Sequence, residues 1–292
     1  HSAAYALISY RTAYLKAHYP VDYLAALMTN AIGDKVEEME KYFAEARELD
    51  VQILPPDVNE SDKRFTVSHG NIRFGLAAIK NVGEAAVEGI IAAREKGGPF
   101  HDFRDFCERV DLTLLNSRML ESLIKVGAFD SFGLRRSQLL HVYQTFIDIA
   151  QERKRERESG QGSLFDLFSG DADSSAVGAT DVPDIPEFSE QQRLQFEKEL
   201  LGYYVSGHPM ETYAADIEAF ASATLGRLAS RTGDGDEDVM VIGRIDDVTE
   251  KLDRHGRRMA VVRISDTFAS LDVLVFASVY EKTRELLQRD NV

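Results

Sequence analysis

Two short strings in this 292-residue sequence put a lysine, an apolar residue and a glycine at matching spacing. They are Ile79-Lys80-Asn81-Val82-Gly83-Glu84 and Leu123-Ile124-Lys125-Val126-Gly127-Ala128. In the first, Lys80 and Asn81 are polar turn residues and Val82 is an apolar plug that can tie the turn to a core. Gly83 permits a positive φ, or a close backbone approach that a side chain would block. A helix beginning at Glu84 then directs its unpaired N–H groups over the turn, and such an end binds anions. With Lys80 beside it, the arrangement suits a nucleic-acid phosphate, a contact that carries no base-sequence information. An ordinary corner between two helices would have the same local pattern. The repeat at Lys125, Val126 and Gly127 turns the reading toward paired helix–hairpin–helix units that grip both phosphate strands of one duplex. Arg118, Arg135 and Arg136 flank the second unit.

Other residues could carry chemistry. Gln161-Gly162-Ser163-Leu164-Phe165-Asp166-Leu167-Phe168 places four large apolar residues in a Gly-, Ser- and Asp-rich stretch. One reading is a linear motif, with Leu164 and Phe165 dropping into a partner's groove and Gln161 bonding beside them. The other is that these residues fold back on their own chain. The basic run around Arg254, His255, Arg257 and Arg258 could meet a single strand. His208 has no nucleophile or carboxylate pattern around it and reads as a structural loop residue before Pro209. The single cysteine, Cys107, excludes a disulfide scaffold and a cysteine-based zinc site. No catalytic residue and no metal site is expected.

Apolar residues recurring at helical spacing predict helices over 2–18, 21–30 and 35–50, the last with Val36, Met39, Tyr42, Phe43, Ala46 and Leu49 on one face. A short strand at 51–54, the rigid Pro55-Pro56-Asp57-Val58-Asn59 loop, and a small hairpin of 65–67 and 72–74 follow. Helices over 84–96, 116–124 and 141–158 frame the two turns. Period-two alternation then gives strands at 239–245, 259–264 and 271–276, and a helix at 278–288. The expected fold is mainly α with a small β-hairpin in the N-terminal two thirds, followed by a partial all-β barrel of OB type. Residues 1–60 form one region and 61–158 the tandem hairpin domain. Residues 159–187 form an acidic linker of disordered composition, 188–237 a helical connector, and 238–292 the barrel, cut off after its third strand and helix.

The net charge of −15 argues against nucleic acid until its distribution is read. Segment 61–140 has 12 basic and 10 acidic residues, whereas 159–221 has 2 and 12. Local sign decides phosphate contact, because charges further apart than about 8 Å are screened at physiological salt. No apolar run approaches the roughly 20 residues of a membrane span, and no signal peptide is expected. The chain opens on His1 already in a helical pattern, which reads as a piece of something longer.

Several strings are specific enough to carry a resemblance. His1-Ser2-Ala3-Ala4-Tyr5-Ala6-Leu7-Ile8-Ser9-Tyr10 with Tyr14-Leu15-Lys16-Ala17-His18-Tyr19-Pro20 resembles the finger region of bacterial replicative DNA polymerase III α subunits. The strings Ile53–Asn59, Phe74–Gly83, Leu123–Asp130 and Gly202-Tyr203-Tyr204-Val205-Ser206-Gly207-His208-Pro209 resemble the same family. The resemblance implies a tandem helix–hairpin–helix domain on duplex DNA at Lys80–Gly83 and Lys125–Gly127. It implies a sliding-clamp peptide at Gln161, Ser163, Leu164 and Phe165, which favours the linear-motif reading. It implies an OB domain near the single-stranded template, and for His1 a part in binding the incoming nucleotide. Other replicase subunits are implied partners; a membrane is not. A bacterial cytoplasmic, nucleoid-associated location follows. The palm carboxylates that hold Mg2+ are not among these residues, so the fragment is expected to lack a cofactor and to be inactive alone, while its parent is a DNA-directed DNA polymerase. A DNA-binding scaffold module of a repair protein and an error-prone paralogue of the same family are the alternatives.

Overall fold

In the computed structural model, residues 2–33, 36–158, 182–231, 236–267 and 269–292 are described. Two compact units divide the chain, 1–206 and 207–292. The stretch 188–237, read above as one connector, is shared between them.

In the first unit, α1 (Ser2–His18) and α2 (Pro20–Asn30) are adjacent helices, α2 starting on Pro20, whose fixed φ suits a first helical position. Leu24, Ala25 and Met28 of α2 are buried, whereas α1 buries no residue. In α3 (Val36–Glu48), Phe43 and Ala46 face the core, and Phe43 stacks on Tyr203 with ring centroids 3.7 Å apart. Leu49, expected on that face, lies beyond the helix end and is exposed.

A three-stranded sheet follows, in the order β1 (Ile53–Leu54), β3 (Asn71–Arg73), β2 (Thr66–Ser68), with β1 parallel and β2 antiparallel to β3. The β2–β3 turn is His69-Gly70, both left-handed at φ 51° and 79°. Such two-residue turns match the twist of the strands they join.

Four helices then build the core: α4 (Glu84–Gly97), α5 (Phe103–Arg109), α6 (Ser117–Lys125) and α7 (Arg136–Glu158). An aromatic nest sits among them. The Phe129 ring is 5.0 Å from both Phe103 and Phe106, and Phe103 is 5.6 Å from Phe146. All four rings are buried, and each contributes about 1.5–3 kcal/mol by burial. The proline loop fastens the sheet to these helices. The Asn59 amide donates to the Phe100 carbonyl (2.9 Å) and accepts from the Phe100 N–H (2.7 Å). Arg94 donates to the carbonyls of Val58 and Ser61, and the Val58 N–H donates to the Ala128 carbonyl. Helix α8 (Glu190–Leu201) completes the unit, with a capping box between Ser189 and Gln192.

The second unit holds two short helices, α9 (Ala214–Phe220) and α10 (Leu225–Ala229), then an antiparallel sheet β4 (Arg244–Leu252), β5 (Arg258–Ser265), β6 (Ser270–Val275) and helix α11 (Ala277–Thr283). Ile245, Ala260, Val262 and Tyr280 form its small core. The first of these strands begins where the expected 239–245 strand was to end. Its register with β5 runs from Arg244↔Ser265 to Leu252↔Arg258, through charged residues that an apolar alternation does not mark. Helix α11 stops at Thr283, short of the expected 288. Among the described residues, no helix is long and apolar enough to cross a membrane.

Candidate nucleic-acid interface

The first turn is a tight one, closed by the Val82 N–H on the Ile79 carbonyl at 3.1 Å. Its left-handed residue is Asn81, at φ 70°, not Gly83, which stands at φ −80°, ψ 147° as the N-cap of α4. Asparagine tolerates this region because its short amide finds local partners. Here the amide donates to the Ser122 hydroxyl at 3.0 Å, which in turn donates to the Arg118 carbonyl at 2.8 Å. The turn is thus tied to α6. On the other side the Lys80 N–H donates to the Leu200 carbonyl of α8 at 2.9 Å. Val82 is buried, as its plug role requires, and the Lys80 side chain is exposed.

Neither φ nor packing within the fold requires a glycine at position 83. A Cβ built there would meet nothing within 4 Å. No side chain caps α4, and its first turn closes with the Val87 N–H on the Gly83 carbonyl at 3.2 Å. The amides preceding Val87 have no acceptor within the helix, and Gly83, Glu84 and Ala85 are exposed whereas Ala86 is buried. Around this end the Lys63 ammonium contacts the carboxylates of Glu84 and Glu88, each at 2.7 Å. These hydrogen bonds raise the Lys63 pKa, and the bond from Lys63 lowers that of Glu84. The glycine that close backbone packing does demand is Gly75, missed in the sequence. A Cβ there would lie 2.5 Å from the Arg64 carbonyl carbon. That crossing sets up the bonds from Leu76 to Asp62 and from Ala77 to Lys63 that lead into the turn.

The second turn is built differently, and this corrects the expectation of a second phosphate corner at Lys125, Val126 and Gly127. Gly127 (φ 82°) ends α6 in a left-handed cap, its N–H on the Ile124 carbonyl and the Ala128 N–H on the Leu123 carbonyl. Val126 is 1% exposed. The space a Gly127 Cβ would need is filled by the Arg136 guanidinium, 2.2 Å away. Arg136 is itself buried and donates to the Asp130 carboxylate (2.7 Å) and the Lys125 carbonyl (3.0 Å). Lys125 pairs with Glu121 and lies 5.7 Å from the Phe196 ring centroid. Arg135 pairs with Asp184 at 2.7 Å. Of the residues flanking this turn, Arg118 is the exposed one with no ion pair among the described residues.

The amides at the start of α7 are occupied by the chain itself. The Glu187 carboxylate accepts from the N–H groups of Arg136 (2.8 Å) and Ser137 (3.1 Å), and from its neighbour Phe188 (2.8 Å). Burial raises the Glu187 pKa, but these three donors and the Arg136 charge outweigh it, so the net shift is downward.

In the second unit the basic loop tightens to the turn Asp253-Arg254-His255-Gly256. The Asp253 carboxylate accepts from the amides of His255 and Arg257 and from the Arg257 guanidinium, and these bonds lower its pKa. Arg258 faces Glu250 at 3.9 Å. Arg254 and His255 project from the tip, exposed. His208 caps the turn that follows it, its ring accepting from the Met210 N–H at 3.1 Å. Gln161, Ser163, Leu164, Phe165 and His1 lie outside the described residues. Among the described residues no group of three or more His, Cys, Asp or Glu is placed to hold a metal ion.

A helix-hairpin-helix motif family matches residues 50–139, the span from β1 to the first turn of α7. Over its whole length the chain is similar to DNA polymerase III α subunits. It is 40% identical to that of Thermus aquaticus over 292 residues and 38% identical to that of Neisseria meningitidis serogroup B over 293 residues. It is 37% identical to that of Saccharopolyspora erythraea over 298 residues. These alignments cover 99–100% of the chain and 23–24% of each relative.

Proposed function

We propose that this chain, which is similar over its whole length to DNA polymerase III α subunits and spans about a quarter of the length of the curated relatives it matches, is the part of a chromosome-replicating polymerase that grips the backbone of duplex DNA. The uncapped start of α4 carries the reading. There, unpaired amides, a side-chain-free Gly83 and the exposed Lys80 meet on a turn held rigidly by α6 and α8. A phosphate placed over these amides would gain charge-assisted hydrogen bonds and the favourable end of the helix dipole. Arg118, on the helix tied to the turn by Asn81, adds a positive charge on the same support. Such contacts position DNA without reading it, as a polymerase that copies any sequence requires.

The remaining roles are proposed for the longer protein. Gln161, Ser163, Leu164 and Phe165 form a peptide that docks in the sliding clamp. Arg254 and His255, with Arg257 and Arg258 behind them, meet single-stranded template. His1 lies near the incoming nucleotide. Other replicase subunits dock on surfaces of the complete α subunit, which works at the nucleoid in the cytoplasm. Mg2+ and the nucleotidyl transfer it supports belong to carboxylates elsewhere in that protein. A clamp peptide and a phosphate grip on one chain make release require loss of both, which raises residence on DNA.

The test is duplex binding by the 292-residue chain as a function of salt. Each phosphate neutralised should give a slope of about −0.9 in log affinity against log salt. Lys80→Ala should weaken binding to all sequences alike and make that slope shallower by about 0.9. Unchanged affinity and slope would remove the α4 end as the contact.

A further inference from the structure

The second hairpin has the basic residues of a phosphate corner but is covered by the chain's own carboxylates. We propose that residues 182–187 form an internal phosphate mimic that competes with a nucleic-acid backbone for the start of α7. The inference rests on the duplex-gripping role proposed for the first corner.

Three observations carry it. The first is an electrostatic oddity of α7. A helix start is its positive end and favours acidic residues. This 23-residue helix has no acidic residue in its first turn, and Arg135-Arg136 stand at its entry. The Arg136 guanidinium is neutralised by Asp130, so the Arg135 guanidinium and the positive helix end are what favour an anion there.

The second is what supplies the anion. The Glu187 carboxylate takes the Arg136 and Ser137 amides. Asp184 takes the Arg135 guanidinium at 2.7 Å, the Ile185 carbonyl accepts from it at 2.8 Å, and the Pro183 carbonyl accepts from the Gln138 amide at 2.9 Å. Each donor is of a kind that binds backbone phosphate: helix-start amides, an arginine and a side-chain amide. The Ser137 hydroxyl beside them is buried and has no hydrogen-bond partner.

The third is the contrast with the first corner. There α4 starts without any capping side chain. At the first corner the carboxylates of Glu84 and Glu88 are held by Lys63 and none caps the helix amides, whereas at the second a peptide carrying two carboxylates does. The Asp184 side chain is 91% exposed and that of Arg135 is 47% exposed, so salt and competing phosphates reach this pair. DNA that displaces the strap replaces two carboxylates with two phosphates, at little loss of hydrogen bonds to α7. The strap therefore lowers affinity for loosely presented backbone and yields to a duplex already seated on the first corner.

The experiment compares the wild-type chain with Asp184→Asn/Glu187→Gln, using a mixed-sequence duplex at several salt concentrations, with thermal melting as a check on folding. The double variant should bind several-fold more tightly at low salt. Its salt slope should steepen by about 0.9 for each additional phosphate engaged. Arg135→Ala added to the double variant should cancel much of the gain. If the variant stays folded and binds no better than wild type, the strap is only a helix cap and the proposal fails. If it is folded but binds more weakly, the strap supports the DNA site and the proposal fails equally. Wild-type protein that binds no duplex at all would instead overturn the role proposed for the first corner.

Discussion

At the scale of single residues, two glycines of similar surroundings in sequence do opposite jobs. Gly83 has an ordinary φ and empty space where a side chain would go. Gly127 has φ 82° and the Arg136 guanidinium in the way. Gly83→Val should cost about 1 kcal/mol, because valine is a poorer N-cap than glycine, and should leave the protein folded, yet should weaken duplex binding because its methyls occupy the phosphate's place. Gly127→Val should instead destabilise by more than about 1 kcal/mol through left-handed strain and collision, measured by denaturant unfolding. Cys107 makes a third case. Burial, helped by Glu108 and Asp102, pushes its thiol pKa up to about 12. Reaction with a thiol reagent at pH 8 should be negligible in the native protein and rapid in denaturant; rapid native labelling would show that α5 opens readily.

Among the elements, the helices around the turns were legible because their apolar periodicity is strong. The expected 84–96 and 116–124 runs differ from α4 and α6 by a residue at the ends. The seven-residue α5 was not read, since its Phe103, Phe106 and Cys107 are too few to define a period. Strand β4 was misplaced because its outward residues are charged and pairing with β5, rather than its own pattern, fixes its span. The site was half legible. Lys80 is exposed and Val82 buried at the turn, but nothing local says that Asn81 rather than Gly83 turns left-handed, because that depends on Ser122, 41 residues away. The strap that caps α7 comes from about 50 residues further along and leaves no mark near Arg136. Its pH dependence is definite. The folded pKa of Glu187 lies below its unfolded value, so its stabilisation is present above the usual carboxylate range and fades as pH falls through the folded value. Glu187→Gln should cost about 1 kcal/mol at pH 7, as loss of a helix cap does. It should also flatten the acid side of the stability profile, as followed by urea unfolding from pH 3 to 7.

For the molecule as a whole, a net charge of −15 is compatible with the proposed DNA-gripping surface because the charges are segregated. Residues 61–140, which contain both turns, carry net +2, and 159–221 carry −10. The acidic part repels DNA from where it has no contact to make, and the basic part keeps its attraction at short range. The proposed function assigns clamp docking and duplex binding to separate residues. Leu164→Ala/Phe165→Ala should therefore abolish capture by the clamp and leave duplex affinity within twofold; a joint loss would mean that one surface serves both. The central claim is that the open start of α4 holds a phosphate. The most direct measurement is the duplex affinity of Gly83→Val against wild type across a salt series, with both proteins shown to be folded at the assay temperature. The account predicts weaker binding and a shallower salt slope for Gly83→Val. Equal affinity and equal slope in a folded variant would contradict it.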